Sequence, residues 1–159
     1  MSNISSALYF KSIVWFSRAH GIVLRLTGGK VSRSLRGLNM LLLTTRGRHT
    51  GQRKDTPLLY LEDRGQYYCV ASFGGSDRHP DWFLNLEAEL SLRPEGKCVL
   101  LVSQKHLAAS AYVTSGQERN EAWARLVKYY PPFADYQKRT QRIIPVIRFD
   151  PISDTNRSS

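Results

Sequence analysis

The run Thr44-Thr45-Arg46-Gly47-Arg48-His49-Thr50-Gly51-Gln52-Arg53-Lys54 packs cations, hydroxyls and glycines into one short turn behind the apolar Met40-Leu41-Leu42-Leu43. It completes a 54-residue stretch holding ten Lys or Arg and no Asp or Glu. From Asp55 onward there are 13 basic and 13 acidic residues, so the net charge of +10 arises wholly in the first third. Guanidinium and ammonium groups make charge-assisted hydrogen bonds to phosphates and carboxylates. Threonine hydroxyls add donors, and glycines let the backbone come close. The chemistry open to this turn is to grip something strongly anionic. A merely solvated basic hairpin would leave its threonines and glycines unexplained.

Elsewhere the chain offers little for acid-base or nucleophilic catalysis. No Ser/His/Asp or Cys/His set is spaced persuasively. His20, His49, His79 and His106 lack metal-ligand spacing, so no metal is expected. Cys69 and Cys98 lie in strand-like segments outside any CxxC and read as reduced core thiols, which favours a cytosolic chain without disulfides.

Several elements must position the turn. Residues 5–26 have broad apolar coverage, with Lys11, Arg18 and Arg25 forming one cationic stripe, and are predicted helical. Lys30 to Gly37 is a basic connector, a short helix or a loop. Leu38 to Thr45 and Lys54 to Leu61 read as strands flanking the turn. Gln66 to Ser72 reads as a third, after the Glu62-Asp63-Arg64-Gly65 turn. Gly74-Gly75 breaks the backbone before a helix from Pro80 to Glu89, with Ser76 or Asp77 as capping candidates. Further strands are expected at Leu90–Arg93, Cys98–Val102, His106–Val113 and Ile143–Phe149. Helices are expected from Ser115, with capping-box spacing to Glu118, to about Tyr129, and at Phe133–Arg139.

At 159 residues, 42% hydrophobic and 23% charged, the chain suits one globular domain. An amphipathic helical segment at 1–37 would precede a barrel at 38–151, with a flexible tail at 152–159. Adjacent antiparallel strands with helices outside give an α+β class, and closure into a small barrel would remove exposed edges. No apolar run is long enough to span a bilayer. The N-terminal stripe, beside Trp15 and Phe16, suits either peripheral contact with the inner face of a membrane or a helix packing against the barrel or against a partner subunit in a homodimer.

Four ordered motifs then carry a resemblance. They are Leu41 to Gln52 with Thr56-Pro57-Leu58-Leu59-Tyr60, Ala71-Ser72-Phe73-Gly74-Gly75, His79 to Leu86, and Tyr129-Tyr130-Pro131-Pro132-Phe133-Ala134-Asp135-Tyr136-Gln137. Over roughly residues 20–150 the chain resembles the deazaflavin (F420)-dependent nitroreductases and F420H2-dependent quinone reductases. The resemblance implies a split β-barrel of the FMN-binding, flavin-reductase type with peripheral helices. It implies reduced coenzyme F420 as hydride donor and a quinone, nitroaromatic or similar electron-poor molecule as acceptor. Thr45, Arg46, Arg48, His49, Thr50, Gly51, Lys54, Thr56 and Pro57 would then line the cofactor, whose phosphodiester and oligoglutamate tail are polyanionic. Ala71, Ser72, Phe73, Gly74 and Trp82 would approach its ring and phosphate. Tyr130, Tyr136 and Ser72 would serve the substrate, a phenol orienting or protonating an acceptor oxygen. Phe73 stands where the family commonly has Lys, which keeps FMN open as an alternative cofactor. A non-catalytic flavin or lipid carrier also stays open. A nucleic-acid-binding barrel is disfavoured, because no RNA-recognition motif is legible.

Overall fold

The structure is a computed structural model that describes residues 33–35, 37–93 and 97–152. The expected N-terminal helix and its membrane contact lie outside the described residues. Strands are β1 (Arg33–Leu35), β2 (Leu38–Arg46), β3 (Arg53–Leu59), β4 (Leu61–Asp63), β5 (Gln66–Val70), β6 (Lys97–Val102), β7 (Lys105–Val113) and β8 (Val146–Pro151). Helices are α1 (Asp81–Leu92), α2 (Gly116–Tyr129) and α3 (Pro132–Lys138).

All pairings are antiparallel, in the order β1-β2-β6-β7-β8-β5-β4, with β3 also on β2. Tyr60 is a corner: before it β3 pairs with β2, and after it β4 pairs with β5. The bent β3–β4 strand therefore closes the curled sheet into a split barrel. Alternation decides what fills it. Leu41 and Leu43 of β2, Cys69 of β5, Leu100 of β6, Ala109 and Ala111 of β7, and Phe149 of β8 face one core. Tyr68, Val70 and Val146 point to the other face, where Ala122, Leu126 and Phe133 of α2 and α3 cover them. Trp82, Phe83 and Leu86 bring α1 into the barrel core. Cys69 and Cys98 are buried free thiols, and burial pushes the Cys98 thiol up to about 12.

Several expectations need correction. The connector at 30–37 carries β1. Leu90 to Leu92 form the last turn of α1 rather than a strand, since the helix formers Glu87-Ala88-Glu89-Leu90 extend it until the Arg93 N–H closes on the Glu89 carbonyl. Pro80 occupies the N-cap position of α1, and neither Ser76 nor Asp77 caps it. The Ser76 hydroxyl accepts from the Arg78 N–H, while Asp77 accepts from Thr140 Oγ1 at 2.6 Å. Ser115 is the N-cap of α2, but its side chain makes no cap bond. Arg148 takes the Glu118 carboxylate that a capping box would use. β8 starts three residues later than expected, because the Ile144 N–H turns to Gln137 Oε1 and Pro145 has none to give. Ile152 remains tied, its N–H bonding the Ala108 carbonyl at 2.8 Å.

Candidate functional site

The β2–β3 hairpin presents the basic turn. Thr45 pairs with Lys54 and Arg46 with Arg53, so the hairpin ladder runs up to the turn itself. Within the turn the Gly47 N–H bonds the Gln52 carbonyl at 2.8 Å, and the Gly51 N–H bonds the Gly47 carbonyl at 2.7 Å. A Cβ at Gly47 would meet Thr50 Oγ1 at 2.7 Å, so a side chain there would displace the Thr50 hydroxyl. Arg46, Arg48, His49, Thr50, Gly51 and Lys54 are exposed, and Thr56 and Pro57 lie half-buried on β3. Thr44 Oγ1 donates to Asp55 Oδ1 at 2.7 Å. That bond holds the hairpin's own acid beside Thr44, on the strand rather than at the tip. Among the described residues, Arg46, His49, Arg53 and Lys54 have no ion-pair partner. Thr45 shares the inward face of Leu41 and Leu43, is buried at the barrel's rim, and leaves its hydroxyl without a hydrogen bond.

Helix α1 anchors the turn. Asn85, buried, accepts at Oδ1 from the Arg48 backbone N–H at 3.1 Å and from Arg48 Nη1 at 3.0 Å. Asp81, one turn earlier, pairs with Arg48 Nη2 at 3.1 Å. Its side chain is 87% exposed, so this ion pair is a weak competitor for an incoming anion. Trp82 is buried in the core beside Phe83, so it shapes the wall behind the site rather than lining its surface.

The second segment, Ala71 to Gly75, leaves β5 and docks on α3. Ala71 and Gly74 are buried, Ser72 and Phe73 half-buried. Gly75 has φ +83°, and a Cβ there would sit 2.8 Å from both the Tyr136 carbonyl oxygen and Arg139 Cβ. The loop therefore packs on the helix that carries Tyr136. Tyr130, Phe133 and Tyr136 form an edge-to-face aromatic row, with ring centroids 5.0 and 6.2 Å apart. Both tyrosines are half-buried against the second core.

The predicted residues thus fall into two groups: the turn with α1, and the glycine loop with α3 and its tyrosines. The loop runs on into the first residues of α1, which links them. Sequence reasoning missed the residues that fasten these groups. Asn85 gave no signal beyond its place in an amphipathic helix. Arg142 sits in a polar run between helix and strand, where no periodicity exists to mark it. A groove of about 590 Å³ between Leu84, Ala88 and Ser91 of α1 and Val113 of β7 uses none of the predicted residues.

Residues 15–151 match the F420H(2)-dependent quinone reductase family. An F420H(2)-dependent quinone reductase of Mycobacterium tuberculosis is 32% identical over 136 residues, covering 82% of this chain and 86% of that protein. Among solved structures, the F420-H2 dependent reductase FDR-A superposes with a TM-score of 0.61 at 36% identity, covering 70% of this chain and 93% of its own. A structure described as a domain-swapped dimer gives 0.63 at 31% identity, covering 83% and 96%. The chain belongs to the F420H(2)-dependent quinone reductase family, and so is an oxidoreductase whose cofactor is coenzyme F420.

Proposed function

We propose that the β2–β3 turn and the Ala71–Gly74 loop hold reduced F420 while the Tyr130–Tyr136 row receives a quinone. The observation that carries this reading is the turn itself: Arg46, Arg53 and Lys54, three cations without ion-pair partners among the described residues, above the unpartnered Thr45 hydroxyl. A buried hydroxyl lacking a protein partner fits a polar ligand atom at this end of the barrel. The donor set fits a polyanionic tail. Arg46, His49 and Lys54 would take phosphate and carboxylates, with Arg48 aimed by Asn85, while Thr50 and Gly51 let the chain close on them. Thr56 and Pro57 would flank the cofactor from β3, and Ser72, Phe73 and Gly74 from β5.

Bound F420H2 supplies a hydride. The protein needs only to align donor and acceptor, exclude water and stabilise charge on the acceptor oxygen. Tyr130 or Tyr136 could hold or donate a proton there, and Ser72 could orient the ring. Phe133 between the two tyrosines makes this wall apolar, which favours a quinone over a charged acceptor. Nitroaromatics would be secondary acceptors of the same site. We further infer a homodimer, supported by the relative described as a domain-swapped dimer, and sedimentation at increasing concentration tests it.

The activity test mixes purified protein anaerobically with F420H2 and a soluble naphthoquinone or a nitroaromatic, and follows the return of F420 absorbance. Faster oxidation with the quinone supports the reading. Oxidation by the nitro compound alone would overturn the acceptor assignment.

A further inference from the structure

Arg142 lies in the strap between α3 and β8 and is half-buried. Its Nε donates to the Ser76 carbonyl at 2.9 Å and its Nη2 to the Ala71 carbonyl at 3.4 Å, one at each end of the glycine loop. Nη1 lies 3.3 Å from His79 Nδ1, which must accept there because a guanidinium only donates. Arg139 Nη1 adds a 3.5 Å bond to the Gly74 carbonyl. The strap is itself braced: Gln137 Nε2 donates to the Arg142 carbonyl at 2.7 Å, and Thr140 Oγ1 both donates to Asp77 and accepts from the Arg142 N–H.

Peptide geometry draws the consequence. In a trans peptide each carbonyl points opposite to the N–H of the next residue, and the described residues contain no cis peptide. Carbonyls of Ala71 and Gly74 held by arginines turn the N–H groups of Ser72 and Gly75 away from those guanidinium groups. Neither N–H makes a hydrogen bond among the described residues. Unpaired backbone donors at a loop of this kind are anion-binding groups.

We propose that Arg142 is a positioning residue for the cofactor: by gripping both ends of the Ala71–Ser76 loop, with Arg139 on the Gly74 carbonyl between them, it fixes the Ser72 and Gly75 amides as donors to the anionic part of F420. This rests on the proposed placement of F420 against that loop. It also accounts for Phe73 at a position where a lysine would supply charge directly. Oriented backbone dipoles take over part of that duty, and the arginine contributes from behind the loop without touching the ligand.

The test compares wild type, Arg142→Met and Arg142→Lys, the last keeping the charge but reaching one carbonyl at a time. Two readouts are taken: ¹⁵N relaxation of residues 72–75 in the ligand-free protein, and F420 affinity by fluorescence titration. The expected result for Arg142→Met is loss of backbone order in the loop, from order parameters of about 0.85 to below about 0.6. Its F420 dissociation constant should rise about tenfold or more, with kcat at saturating F420H2 changed less than about twofold. Arg142→Lys should recover part of the affinity. A folded Arg142→Met with wild-type loop order and wild-type affinity overturns the role of Arg142 alone, as does a loss confined to kcat. Wild type that binds no F420 overturns the cofactor placement and Arg142's role together.

Discussion

The basic turn and the glycine loop spend positive charge in opposite ways. In the turn, the cations belong to the segment itself and face outward; among the described residues only Arg48 is tethered, to Asn85 and Asp81. In the loop, the cations Arg139 and Arg142 come from behind and face inward onto carbonyls. The first arrangement leaves charge available to a ligand. The second consumes charge in fixing a backbone. A high pI alone says nothing about which of these an arginine does; the partner atoms decide.

The largest expected effect separates the two through their glycines. Gly75→Ala forces a Cβ against backbone at 2.8 Å in a left-handed conformation. It should lower stability by about 2–4 kcal/mol in chemical denaturation. Gly51 also has positive φ, at +66°, but faces open space. Gly51→Ala should therefore cost only about 1 kcal/mol. Equal losses would mean the loop is no more tightly seated than the turn.

Next come the outward cations. Arg46→Ala and Lys54→Ala should each weaken F420 binding about tenfold, by titration, while stability moves by less than about 0.5 kcal/mol. Binding by wild type should also weaken steeply with added salt. A stability loss that matched the affinity loss would assign these cations to architecture instead.

Asn85→Ala tests the buried tether of the turn. Removing an acceptor of two Arg48 hydrogen bonds should cost about 1–2 kcal/mol of stability and several-fold in F420 affinity. The smallest effect concerns His79. Burial and then the neighbouring Arg142 lower its pKa below the usual 6.5, with Glu87 opposing them. A base whose folded pKa is depressed contributes its full stability above the unfolded value and loses it as pH falls through the folded one. Melting temperature should thus decline gently below about pH 6.5, and His79→Asn should flatten that limb.

Much of this comparison was legible in the sequence, but only on one side. The turn announced itself because its charges, hydroxyls and glycines are contiguous, directly behind the apolar run Met40 to Leu43. Family resemblance supplied the glycine loop and the tyrosines. The clamp was invisible because Arg142 lies more than 60 residues from the carbonyls it holds, in a strap without periodicity. The strand expected at Leu90–Arg93 failed for a related reason: four residues are too few for a period to distinguish a strand from a helix end. Tyr60 hid the barrel closure, since a single strand signal spans a corner between two pairings.

The most direct measurement titrates the wild-type protein and an Arg48→Ala/Lys54→Ala variant with three ligands: F420, its tail-less deazaflavin, and FMN. Wild type should prefer F420, and the double substitution should erase that preference while sparing the tail-less compound. Equal losses for F420 and the tail-less compound, or tighter binding of FMN than of F420, would contradict the claim that the turn grips the anionic tail.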